Sequence, residues 1–194
     1  NAIIRQVDSF PALPATVNRV LAVTGNPEST ANDMMQAILP DQSMCATILK
    51  IANSAFFGLP RQVASIERAV MVLGFDEIKN IVLGKAVFTS FQKMPKQSRE
   101  ETDLFWNHSF TCGIAAKVIA EQLGHSPSEM FIAGLIHDIG KLAMLMTFPQ
   151  DYTLVFELSK PDQFRAVVHE YEQFSTSHDE IGRRILKRWL FPDS

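Results

Sequence analysis

Apolar residues recur every three or four positions along almost the whole of this 194-residue chain, and no stretch alternates apolar with polar residues as a half-buried strand does. The pattern predicts an all-α protein. Leu13, Val17, Val20, Leu21 and Thr24 share one helical face, with Pro14 suited to a first turn and Gly25 to a stop. Thr30 with Asp33 has the form of an N-terminal capping pair ahead of Met34, Met35, Ile38 and Leu39. Asp41 is placed to cap a third helix, and Ser65 opens a fourth that Gly74 closes. Asp76 caps a longer one running through Ile78, Ile81, Val82, Phe88 and Phe91.

The one shift in composition is KMPKQSREETD, residues 93–103, polar and charged between two apolar blocks. It reads as a joint between an N-terminal helical bundle, residues 1–92, and a C-terminal bundle, residues 104–194, or as a surface loop inside one continuous domain. Beyond it, a helix from about Thr102 to Leu123 stops at Gly124. A second starts at SPSE, residues 126–129, with Ser126 capping and Pro127 in the first turn, and is expected to run unbroken to Phe148 and Pro149. Shorter helices follow from Asp151 to Leu158 and from Pro161 through Phe164, Val168 and Tyr171. The last opens at SHDE, with Ser177 as cap, and ends near Phe191 and Pro192.

Bulk properties exclude little. The net charge of -3 gives no general attraction for DNA, RNA or anionic membranes, and no basic surface with interleaved aromatics asks for nucleic acid. Cys45 and Cys112 are too far apart for a CxxC motif and read as free thiols in a reducing compartment. No apolar run is expected to reach the ~20 residues of a membrane span, and the first residues carry no signal-peptide pattern. A cytoplasmic location follows as an expectation.

Chemistry enters with the histidines. His108 shares a helical face with Leu104, Cys112, Ala115 and Ile119, and is expected to point inward. His178 shares one with Ile181, Ile185 and Trp189. His137 lies with Ala133, Gly134, Gly140 and Lys141, a row of small residues that admits a close neighbour. His125 and His169 fall on a helix stop and a polar face. Three imidazoles from three helices, with Asp138 about 100° round its helix from His137, are the raw material of a site for Mn, Fe, Zn or Mg. Such a site activates water for attack on phosphate, with Lys141 placed to steady a phosphate oxygen. The same residues also make a hydrogen-bonded polar cluster inside a helical core, and spacing alone leaves both open.

WNHS at 106–109, HDIGK at 137–141 and HDEIG at 178–182 resemble the HD-domain superfamily of metal-dependent phosphohydrolases. PALPATVNRVL, ILKIANSAFFG, SIERAVMVLG with IKNIVL, and the late WLFP narrow the resemblance to the HDOD family, the HD-related output domains of bacterial signalling proteins. Asp41-Gln42 stands where that pattern has Asp-Pro. The resemblance implies an all-helical fold with an HD-like C-terminal bundle and a regulatory role in signal transduction. It implies protein partners or a small ligand such as a nucleotide, and carries over His108, His137, Asp138 and His178 as metal ligands. Catalytic HD relatives use further histidines and an aspartate after the position of His178, where this sequence has only Asp179 and Asp193. The alternative is an active phosphohydrolase acting on nucleotides or cyclic dinucleotides. Two lesser features are a basic stripe of Arg183, Arg184, Lys187 and Arg188, read as a solvated face, and the loop AFFGLP, residues 55–60, read as a core plug or a docking surface.

Overall fold

The computed structural model describes residues 13–55, 57–92, 98–162 and 165–189. Phe56 of the AFFGLP loop, residues 93–97 of the polar segment, Phe164, Phe191, Pro192 and Asp193 lie outside the described residues. Every regular element among the described residues is helical. They fall into two compact units, Leu13–Thr89 and the residues from Ser90 onward.

The first unit contains α1 (Ala15–Thr24), α2 (Ala31–Ile38), α3 (Gln42–Ala52) and α4 (Ile66–Ser90). Its boundaries are set by local chemistry. Thr30 and Asp33 form a reciprocal capping box, and the Asp41 carboxylate accepts from the Met44 backbone N–H at 2.9 Å. Helix α4 is broken at Gly74, whose φ of 80° and ψ of 170° no residue with a Cβ adopts readily. Asn53 clamps the loop before α4, accepting from the Val63 N–H and donating to the Val63 carbonyl, both at 2.8 Å. Val17, Val20, Met34, Ile38, Ile48 and Val82 are among the side chains buried in its core.

The second unit contains α5 (Arg99–Leu123), α6 (Pro127–Ile136), α7 (Ile139–Thr147), α8 (Pro149–Ser159), α9 (Ala166–Phe174) and α10 (His178–Arg188). Two glycine seams set its close approaches. Gly134 on α6 lies so near α5 that a Cβ there would sit 2.8 Å from the Cys112 carbonyl oxygen, and Gly113 faces Phe131 as tightly. A Cβ on Gly140 of α7 would overlap the His178 carbonyl and lie 2.8 Å from the Gly182 nitrogen on α10. The small residues around His137 therefore serve helix-to-helix contact.

Three expectations need correction. The helix through the HD pair is broken: α6 stops at Ile136, α7 begins at Ile139, and Asp138 takes φ −104°, ψ 14°. The 100° helical offset between His137 and Asp138 therefore does not apply. His108 does not point into a core, because its side chain is 53% exposed and its face-mates Leu104 and Ile119 are also exposed. The buried face of α5 is instead Trp106, Ser109, Gly113 and Ala120. Finally, Pro127–Thr147 does reach 21 residues and is apolar enough to cross a membrane by length and composition, although 56% of that window is buried inside the fold as in a core helix.

Candidate metal centre

The break at His137-Asp138 is what builds the centre. Asp138 occupies the N-cap position of α7 but makes no side-chain cap bond. Its carboxylate turns instead toward α5 and α10 and becomes the hub of a polar cluster. Lys141, one turn into α7, places its ammonium 2.6 Å from Oδ2. His178, the first residue of α10, brings Nε2 to 3.3 Å from Oδ1. His137 Nε2 lies 3.4 Å from Oδ2, and His108 Nε2, arriving from α5, lies 3.8 Å from the same oxygen. Of the five residues expected at a site from the sequence, four are thus brought around the carboxylate of the fifth, Asp138. His125 and His169 are not among them, His169 pairing with Glu172 instead.

Tautomers follow from what surrounds each ring. His137 Nδ1 faces the Gly134 carbonyl at 2.8 Å. A carbonyl only accepts, so Nδ1 carries a proton, and Nε2, turned to the Asp138 carboxylate, donates to it when the ring is charged. His178 Nδ1 donates to Glu170 at 2.7 Å, which aims its Nε2 at the Asp138 carboxylate. Glu170 is fully buried and also accepts from the Tyr152 hydroxyl at 2.6 Å and from the His178 backbone N–H at 2.8 Å. Ser177 stands at the N-cap position as expected but makes no side-chain cap bond, and the first N–H of α10 is met by Glu170.

The electrostatics are those of a closed ion network. Burial opposes ionisation of Asp138, but hydrogen bonds from His137, His178 and Lys141 outweigh it and hold the carboxyl well below the usual carboxylate range. Burial likewise opposes charge on His178, yet its bonds to Asp138 and Glu170 push it up to about 9. His137 is raised chiefly by its hydrogen bond to Asp138. Desolvation, followed by the charge of Glu170, raises the Tyr152 phenol well above its ordinary value.

Glu170, Tyr152 and Cys112 were not anticipated as members. Glu170 sits on the face of α9 that also buries Phe174, so a charged residue at an apolar position was the available signal. Cys112 lies one turn beyond His108, with Sγ 3.6 Å from His108 Nε2. Ligand atoms of His108, Cys112 and His137 all lie within 4.8 Å of one another. Imidazole, carboxylate and thiol donors at these separations suit a transition-metal ion, so the residues present fit one. Beside them opens a cavity of about 290 Å³, lined by His108, Asp138 and Lys141 and by Phe105, Leu142 and Phe156 among others.

Residues 10–194 match the family model of the HDOD domain. The chain belongs to the HDOD domain family. Among solved structures, an HDOD domain protein of unknown function from Geobacter sulfurreducens superposes with a TM-score of 0.80 at 26% identity, over 99% of this chain and 64% of that one. A protein named as a candidate phosphohydrolase from Shewanella amazonensis SB2B gives 0.77 at 26% identity, over 99% of this chain and 68% of that one. An uncharacterized protein of Treponema pallidum (strain Nichols) is 23% identical over 194 residues, 99% of this chain but only 37% of its own length. This HDOD domain therefore spans little more than a third of that relative. The all-helical fold expected from the sequence is the fold of the family, and the HD pair sits at its polar centre.

Proposed function

We propose that this HDOD domain is a regulatory module of signal transduction, working through protein partners or a small ligand, with its HD cluster serving as a charge-balanced centre and not as a catalytic one. One observation carries the proposal: both oxygens of Asp138 are already engaged, Oδ1 by a histidine that Glu170 locks and Oδ2 by the Lys141 ammonium. A carboxylate held this way has its charge met from within the fold, and a buried network that is fully satisfied fixes one arrangement of helices. Free Cys45 and Cys112 support a reducing, cytoplasmic setting.

A second reading, a phosphohydrolase acting on nucleotides or cyclic dinucleotides, is favoured by the cavity that His108, Asp138 and Lys141 face. A second Shewanella amazonensis protein, named as a candidate metal-dependent phosphohydrolase, is 26% identical with a TM-score of 0.67. There His108, His137 and Asp138 would hold a divalent ion, Mn, Fe, Zn or Mg, which when bound supplies an activated water. Lys141, which lines the cavity, would hold a phosphate oxygen. Turnover of nucleotides, cyclic dinucleotides and model phosphodiesters by protein loaded with Mn or Fe decides between them. The regulatory proposal expects no turnover above the His137→Ala control, and metal-dependent turnover abolished in that variant would overturn it.

A further inference from the structure

We infer that the outer face of α5 pairs with the same face of a second copy of this chain, two-fold about Thr111, and that the pairing covers the exposed side of the HD centre. The inference rests on the regulatory reading and names its protein partner. Six large apolar residues of α5, Leu104, Phe110, Ile114, Val118, Ile119 and Leu123, are each between 45% and 67% exposed. At about 100° per residue their directions average to that of Thr111, opposite the buried face of Trp106, Ser109, Gly113 and Ala120. Across residues 104–118 the only lysine, arginine, aspartate or glutamate is Lys117, which points about 120° away from Thr111. The centre of the face is thus free of formal charge, as the core of a protein interface is. The Thr111 hydroxyl is already spent on the Asn107 carbonyl at 2.8 Å, so covering it strands no polar group.

The area points to a second copy as the occupant. A whole large apolar residue offers roughly 150–200 Å², so six of them half exposed leave roughly 500 Å² on this one helix. The largest apolar patch on a typical monomer is about 300–600 Å² and is often functional. Two such faces together bury roughly 1,000 Å² of apolar surface, the least a specific interface needs, before any polar rim is added. The order of residues along the helix is also self-complementary. In an antiparallel crossing centred on Thr111, Leu104 of one copy meets Val118 of the other, both about 10 Å along the helix from the axis. Thr111 and Ala115, the small exposed residues of the face, stand near the closest approach, with the large ones outside them. Leu104 and His108 also line the cavity beside Asp138. The second helix therefore lies over them and shields His108, whose side chain is 53% exposed in the single chain. Association is in this way linked to the state of the HD centre.

The test is sedimentation equilibrium of the whole chain, with helix content followed by circular dichroism. The expected result is a monomer–dimer equilibrium in the micromolar range. Val118→Glu sets an unpaired carboxylate against Leu104 at both ends of the interface and weakens association by roughly hundredfold or more. Helix content stays unchanged in that variant, because the position is exposed. Leu158→Glu, at a similarly exposed leucine on α8, leaves the dimer intact. Thr111→Cys, in a chain carrying Cys45→Ser and Cys112→Ser, closes a disulfide between copies, since a residue on a two-fold axis meets itself. A chain that stays monomeric at a few hundred micromolar, a dimer that Val118→Glu leaves intact, or a Thr111→Cys dimer that forms no bridge overturns the proposal, and none of these touches the regulatory reading. Metal-dependent phosphodiester turnover by a chain that still pairs through α5 would instead overturn the regulatory reading and leave the interface standing.

Discussion

Replacing Glu170 probes the network at its most buried point. The residue is fully excluded from solvent and its two oxygens receive three donors: the Tyr152 hydroxyl, the His178 Nδ1 proton and the His178 backbone N–H. In Glu170→Ala all three lose their acceptor together, and a buried imidazolium keeps Asp138 as its only counter-charge. Breaking a buried ion pair by removing one partner costs about 3–5 kcal/mol. Glu170→Gln keeps the volume and one acceptor oxygen, so it should cost about 2 kcal/mol. A pH series adds a second check. His178 is raised from the ordinary 6.5 to about 9, so its contribution is fully present below pH ~6.5 and is lost as the pH rises through ~9. The amount at stake is about 3 kcal/mol, with a slope no steeper than about 1.4 kcal/mol per pH unit. Removing Glu170 should cut that pH-dependent contribution by about half, by narrowing the pH window over which it is lost. The assay is urea unfolding read by tryptophan fluorescence, since Trp106 and Trp189, the two tryptophans of the chain, both lie in the unit that holds the cluster. A Glu170→Ala cost under about 1 kcal/mol, or an unchanged pH dependence between pH ~6.5 and ~9, would refute the charge-network account.

Gly140→Ala drives a methyl into the His178 carbonyl and the Gly182 nitrogen, so α7 and α10 must part. The expected cost is about 3 kcal/mol, and denaturant midpoints check it. Asp138→Asn leaves Lys141 and His178 without their shared counter-charge and should cost about 3–5 kcal/mol at neutral pH. Because the Asp138 carboxyl is held below its ordinary range, that difference should persist down to pH ~4 and shrink only as the pH falls further. In the other unit, Asp41→Ala removes the cap of α3 and the acceptor for Thr16 Oγ, at about 1 kcal/mol, seen as a lower melting temperature by circular dichroism.

Local chemistry was readable and tertiary imposition was not. The Thr30–Asp33 box, the Asp41 cap, the start at Ser126-Pro127 and the break at Gly74 each depend on residues within four positions of one another. The break at His137-Asp138 has no such signal: Ile136, Ile139 and Leu142 continue the apolar pattern straight through it. It is imposed by the close packing of Gly140 on His178 and by the ion pairs that pull Asp138 sideways. His108 misleads for a related reason. Helix α5 carries apolar residues around its circumference, Leu104, Phe110, Ile114 and Val118 being exposed, so periodicity does not single out its buried face. Glu170 was hidden because its partners Tyr152 and His178 lie on two other helices.

The charges around Asp138 balance as two pairs. Glu170 and His178 cancel one another and stay fixed, being buried and bonded on every side. Asp138 then cancels Lys141, whose side chain is 32% exposed and lines the cavity. Of these two pairs, Asp138–Lys141 holds the more exposed cation, and Glu170–His178 is the buried frame that fixes α9 against α10.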